Sequence, residues 1–218
     1  MWRLWLLVVS VMLLDSVAAE ACPAKSNNVA IVLGIAGGEV VVVRLALREK
    51  GVGGVAYGTA WYGDARLQVG AQEPTLIGSL DPAVDGSREL NRLLRLARAE
   101  AKKVPGFRAA RWVSARDCSR PRACRDIALE NEGTVLRVGS RRVSHGVELS
   151  DPVGQEFLSV RGVVRYKADK TRIAVVNIGV GNPTWASSLR VCEGRRCRDI
   201  VTHHHGEQTD VVVVTSGR

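Results

Sequence analysis

Residues 112–127 read WVSARDCSRPRACRDI, and residues 185–200 read WASSLRVCEGRRCRDI. Each stretch holds a Trp, a mixed run, two close cysteines and then Arg-Asp-Ile. Five residues separate Cys118 from Cys124, and four separate Cys192 from Cys197; both insertions carry turn-forming polar residues. Cysteines that flank a tight turn reach the ~5.5 Å Cα separation a disulfide takes. Two cystine hairpins are therefore expected, each a pair of short strands closed at its tip. Spacing alone leaves cross-pairing between the hairpins open. A four-cysteine zinc site is the alternative, but zinc pairs are usually spaced more tightly.

Outward from these hairpins the chain is strand-like. After the first Arg-Asp-Ile come a polar turn and the run 134–140; after the second come a polar stretch to Gly206 and the run 209–217. This similarity predicts two related β units with a boundary near 140–144. Residues 160–166 and 172–178 alternate around Lys167-Ala-Asp-Lys170, the pattern of a hairpin and its turn. Strands are expected near 109–117, 124–130, 134–138, 143–149, 157–167, 171–179, 187–193, 196–202 and 210–215. Upstream, 28–36, 39–47 and 52–62 are apolar, β-branched runs punctuated by Gly, and 71–86, with Pro74, Gly78, Pro82 and Gly86, reads as a loop. Residues 87–104 form the expected helix. Ser87 suits its N-cap, and Leu90, Leu93, Leu94, Ala97, Ala101 and Val104 share one face. The expected class is mainly β (α+β): antiparallel, sandwich-like units with one amphipathic helix and stapled hairpins.

Residues 1–19 have the parts of a secretory signal: Arg3, an apolar run over 4–14, and small residues before a cut at Glu20. The apolar run is about eleven residues, while a bilayer span needs roughly twenty. No later segment is long and apolar enough to span a membrane. The expected organisation is a leader (1–19), a β-rich unit with the helix and first cystine hairpin (20–140), and an all-β unit with the second (141–218). One continuous domain is the alternative. About 199 residues remain after cleavage, enough to bury a core without disulfides. The chain is expected outside the cytoplasm, secreted or at the cell surface, where disulfides persist. Cys22 has no partner in either hairpin and is expected to be free, to bear a lipid, or to form an intermolecular bond.

The formal net charge is +9, nearly all from Arg, since Lys occurs six times. Such a balance attracts polyanions, and Arg120, Arg122, Arg195 and Arg196 on the hairpin tips are the candidate contacts. The basic residues are not interleaved with aromatics, so there is no strong nucleic-acid signal. His203, His205 and Glu207 are the candidate ligands for a divalent metal; two imidazoles at i, i+2 share one face of a strand. An exposed polar turn is the plainer reading of that cluster. No G-x-S-x-G is present, and Ser144-His145 is only a sequence neighbour pair. Two early strands, Gly51-Val-Gly-Gly-Val-Ala-Tyr-Gly-Thr59, a helix and a further strand resemble the start of a Lon-type peptidase domain over roughly residues 29–117. That family's nucleophilic Ser and its Lys have no counterpart in the matching region, so no peptidase activity is expected. The leading expectation is a secreted β-rich protein that works by binding a surface partner or by self-assembly into a filament or coat. Strand addition through 28–35 or 210–215 would supply the connector. The alternatives are a metal-binding protein or metal-dependent enzyme, and a polyanion-binding module.

Overall fold

The computed structural model describes residues 26–50, 60–80, 86–118, 124–131, 133–144, 158–180, 186–193, 196–204 and 208–216. It is 68% strand, antiparallel in nearly all its pairings, with one helix among the described residues, so the mainly-β class follows directly. Three elements open the chain: β1 (Ser26–Ala36), β2 (Glu39–Lys50) and β3 (Ala60–Val69). They form an antiparallel meander, extended by β4 (Thr75–Leu80). The β1–β2 turn is Gly37-Gly38, both at positive φ, where a side chain would be strained.

One face of this meander carries helix α1 (Gly86–Ala101). Val29, Ile31 and Leu33 of β1 alternate with residues of the opposite face, as do Val41, Val43, Leu45 and Leu47 of β2. They meet Leu90, Leu93, Leu94, Ala97 and Ala101, each at most 1% exposed, with Val104 packed behind them. The helical face expected from spacing is thus the buried face. On the outer side, Arg92 hydrogen-bonds Glu89 and holds its carboxyl below the usual carboxylate range.

The chain then forms β5 (Arg108–Ala109) and β6 (Arg111–Asp117), followed by a small meander of β7 (Ile127–Glu130), β8 (Val135–Val138) and β9 (Arg141–Ser144). A long hairpin, β10 (Leu158–Ala168) and β11 (Thr171–Val180), turns at Asp169-Lys170 with Asp169 at φ 53°. β12 (Ala186–Glu193) and β13 (Arg196–His204) form a separate two-stranded sheet, and β14 (Gln208–Ser216) closes the fold.

The main sheet runs β4-β3-β2-β1-β14-β11-β10-β6, and β5 pairs with β1. Only Ala110 separates β5 from β6, and its N–H donates to the Leu33 carbonyl at 2.8 Å. The strand path therefore returns to β1 and encloses a ring of β1, β14, β11, β10 and β6/β5. Every ring strand contributes to its interior: Ala30, Val32, Val211, Val213, Ile173, Val175, Tyr166, Val164 and Trp112. Gly34 makes the closure sterically feasible, because a Cβ there would run into the Arg108 carbonyl and the Phe107 ring. A third cluster lies outside the ring, where Val163, Val176, Ile178 and Val214 meet Ile127 and Leu136 of the small meander. Strands from both sides of the expected 140–144 boundary share this one sheet: β1–β6 precede it, and β10, β11 and β14 follow it.

Of the third strand expected at 52–62, residues 52–59 lie outside the described residues; the described strand, Ala60–Val69, runs on to residue 69, with Ala65, Leu67 and Val69 turned inward and Asp64, Arg66 and Gln68 turned out. Two expectations are corrected. The expected loop 71–86 contains β4: Leu80 is buried and Ile77 packs on the helix-side core, so an edge strand forms despite Pro74 and Gly78. The polar stretch after the second hairpin begins later than expected, since β13 continues to His204. The expected strand near 143–149 is described only as far as Ser144, within β9.

Candidate functional site

The cystines form as the spacing suggests. Cys118 and Cys124 are bonded with their Cα atoms 5.3 Å apart, and Cys192 and Cys197 with theirs at 4.0 Å. Their settings differ. Cys118–Cys124 ties the end of β6 to the approach to β7 and packs against the outer core. Cys192 and Cys197 are directly opposed on β12 and β13. The two cysteine-bearing stretches also touch each other: the Arg198 guanidinium of the second lies 3.8 Å over the ring of Trp112 in the first, a cation–π contact.

The second hairpin is clamped to the helix by polar groups that copy strand pairing. The Asn91 Nδ2 donates to the Arg190 carbonyl at 2.9 Å, and its Oδ1 accepts from the Cys192 N–H at 2.8 Å. The Ser87 hydroxyl accepts from the Arg190 N–H at 2.9 Å. A carboxamide has one donor face and one acceptor oxygen, so it satisfies the edge of β12 as a neighbouring peptide would. Val191, between these bonds, is buried in the helix-side core.

The other sequence-derived candidates divide as follows. Cys22, Arg120, Arg122, Arg195, His205 and Glu207 lie outside the described residues. Arg196 and His203 are placed by their backbones alone: Arg196 opposes Glu193, and His203 opposes Ser187. No cluster of three or more His, Cys, Asp or Glu occurs among the described residues. Among the described residues no helix is long and apolar enough to cross a membrane.

A different group of arginines is brought together. Arg141, Arg165 and Arg172 line a groove of about 510 Å³ between the small meander and the β10–β11 hairpin, with Val138, Gly139, Ser140, Ile173, Ala174 and Val214. Its lining has one carboxylate, Asp126, which holds Arg165 at 2.5 Å. Arg141 reaches across to the Thr215 carbonyl. The meander turn is anchored from below, where the Gly139 N–H donates to the Asp126 carbonyl at 2.7 Å. The lining thus carries three guanidiniums and one carboxylate, and guanidiniums are matched to sulfate, phosphate and carboxylate oxygens.

These residues were not singled out from sequence because 31 positions separate Arg141 from Arg172. One signal was present: Arg165 and Lys167 alternate with the inward Val164 and Tyr166, and the turn at 169–170 places Arg172 across from Lys167. A second groove of similar size, between β2 and β14, mixes Glu39, Arg44 and Asp210 and favours neither sign of ligand.

No family model, no curated protein and no solved structure matches this chain. The Lon-type likeness of 29–117 therefore draws no support from them. The fold and grooves define the class to which the site belongs: a β-rich, disulfide-stapled protein with an arginine-lined surface groove.

Proposed function

We propose that this protein is a secreted or cell-surface binding module that takes an anionic partner in the Arg141–Arg165–Arg172 groove. The observation that carries the reading is the convergence of three arginines from three strands, β9, β10 and β11, on one groove with a single carboxylate. The Ala19–Glu20 leader junction and the two cystines support an oxidising, extracytoplasmic setting. In this reading the anionic contact lies on the β9–β11 surface, while Arg120, Arg122 and Arg195 of the hairpin tips lie outside the described residues.

Retention on immobilised heparin tests it. The wild-type chain is expected to bind and to elute earlier as salt rises. Arg165→Glu with Arg172→Glu should elute at clearly lower salt, with the slope of log affinity against log salt reduced by about one per lost contact. An unchanged elution position in that variant, with an unchanged melting curve, would reject the groove as the site.

One observation favours a second reading, self-assembly by strand addition. β14 pairs with β11 at nine positions but with β1 only at Asn27↔Thr209, so much of its β1-facing edge has no strand partner among the described residues. Sedimentation at increasing concentration reads this directly; a chain that stays monomeric excludes it.

A further inference from the structure

We infer that the anionic partner is a linear acidic polysaccharide that lies across strands, and that its track continues past the groove along a row of cations on β11, β10 and β6. The inference rests on the groove reading and adds the ligand's class and its path. Register fixes the row: Lys167 opposes Arg172 on one side and Arg111 on the other. Directly opposed residues project from the same face of a sheet. Arg165, two residues before Lys167, projects from that face as well, while Tyr166 and Trp112, the opposed pair between them, point into the ring. The groove and the row are thus one surface: Arg141 reaches in from the β14 side, Arg172, Lys167 and Arg111 follow across β11, β10 and β6, and Arg165 stands two residues along β10 from Lys167.

Like charges directly opposed on neighbouring strands repel. Neither Arg111 nor Lys167 has an ion-pair partner among the described residues, whereas acidic residues nearby are already engaged: Asp126 with Arg165, and Asp169 with Arg108. An arrangement that costs the free protein stability is compensated by a ligand that brings negative charge at several successive points. Arg172 and Arg111 stand two strand spacings apart, roughly 10 Å, which one small anion does not bridge; a polymer crossing three strands does.

Chemistry separates the polymers. Single-stranded nucleic acid is held by aromatic platforms as well as cations. The described aromatic side chains are elsewhere: Trp112 and Tyr166 line the ring interior, and Phe107 packs on the helix-side core. A sulfated or carboxylated sugar chain needs only guanidinium and ammonium partners along a relief.

The test titrates the full chain with heparin-derived fragments of increasing length, with sodium sulfate, and with a single-stranded DNA oligonucleotide of matched charge. Affinity should rise at least ~10-fold from disaccharide to dodecasaccharide, and Arg111→Glu with Lys167→Glu should lower dodecasaccharide affinity about 10-fold. The oligonucleotide should bind more weakly than the dodecasaccharide. Arg111→Gln with Lys167→Gln, checked for an unchanged melting temperature, separates loss of contacts from loss of fold and should weaken binding in the same direction. If sulfate or the disaccharide binds as tightly as the long fragment, or if these variants bind it normally, the track is refuted while the groove reading survives. Tighter binding of the oligonucleotide would refute the polysaccharide assignment. If no anion binds, both readings fall together.

Discussion

Gly34 is the residue on which the ring closure turns. It pairs with Ala109 where β5 crosses β1, and a methyl group there would occupy the space of the Arg108 carbonyl and the Phe107 ring. Backbone cannot retreat as a side-chain tip can, so Gly34→Ala is expected to destabilise the chain by about 1–3 kcal/mol, with the overpacked core the cause. Equilibrium urea unfolding measures it; a midpoint equal to wild type would show that β5 is free to shift. At this scale the sequence was partly readable. The buried helix residues followed from spacing, because a 3.6-residue period survives in one dimension. Gly34 gave no such signal, since nothing in its neighbours indicates that a strand seventy-odd positions later crosses above it. The groove arginines were hidden for the same reason: each is an ordinary outward residue of its own strand, and only register makes them neighbours.

The helix and the second cystine hairpin act as one element pair. Asn91 supplies both a donor and an acceptor to the edge of β12, at Arg190 and Cys192. Asn91→Ala removes both at once and leaves the Cys192 N–H, half-buried beside Val191, without its acceptor. A loss of about 1–3 kcal/mol is expected, with faster amide hydrogen exchange at Cys192, whose N–H loses its acceptor, and little change in β10 or β11. Uniformly faster exchange across the molecule would mean instead that the hairpin and the main sheet unfold as one unit. Most elements were legible: β10, β11 and β14 follow from β-branched alternation, and the turn at Asp169-Lys170 from its polar residues. The far end of β3 and the whole of β4 were missed because Gly and Pro drew the boundaries, whereas burial of Leu67, Ile77 and Leu80 against the helix decided where these strands form. Local punctuation is a weaker term than tertiary packing in such short strands.

At the scale of the molecule, β14 is a central strand. It lies between β1 and β11, and it places Val211 in the ring and Val214 in the outer core. Removal of residues 208–218 should therefore leave a chain without cooperative unfolding, seen as loss of the near-ultraviolet circular dichroism signal. A truncated chain that melts like wild type would contradict the ring. The closed path also explains why sequence indicated the class of fold and not its topology: the partners of β1 are β2, next in the chain, and β14 and β5, which are far from it in sequence. The central functional claim is that an anion is held by the β9–β11 groove. The direct measurement is a nuclear magnetic resonance titration of the labelled chain with heparin dodecasaccharide. The account predicts the largest amide shifts at Gly139, Ser140, Arg141, Arg165 and Arg172, extending to Lys167 and Arg111. Shifts confined to 119–123 and 194–196, with the groove unmoved, would place binding on the hairpin tips and contradict it.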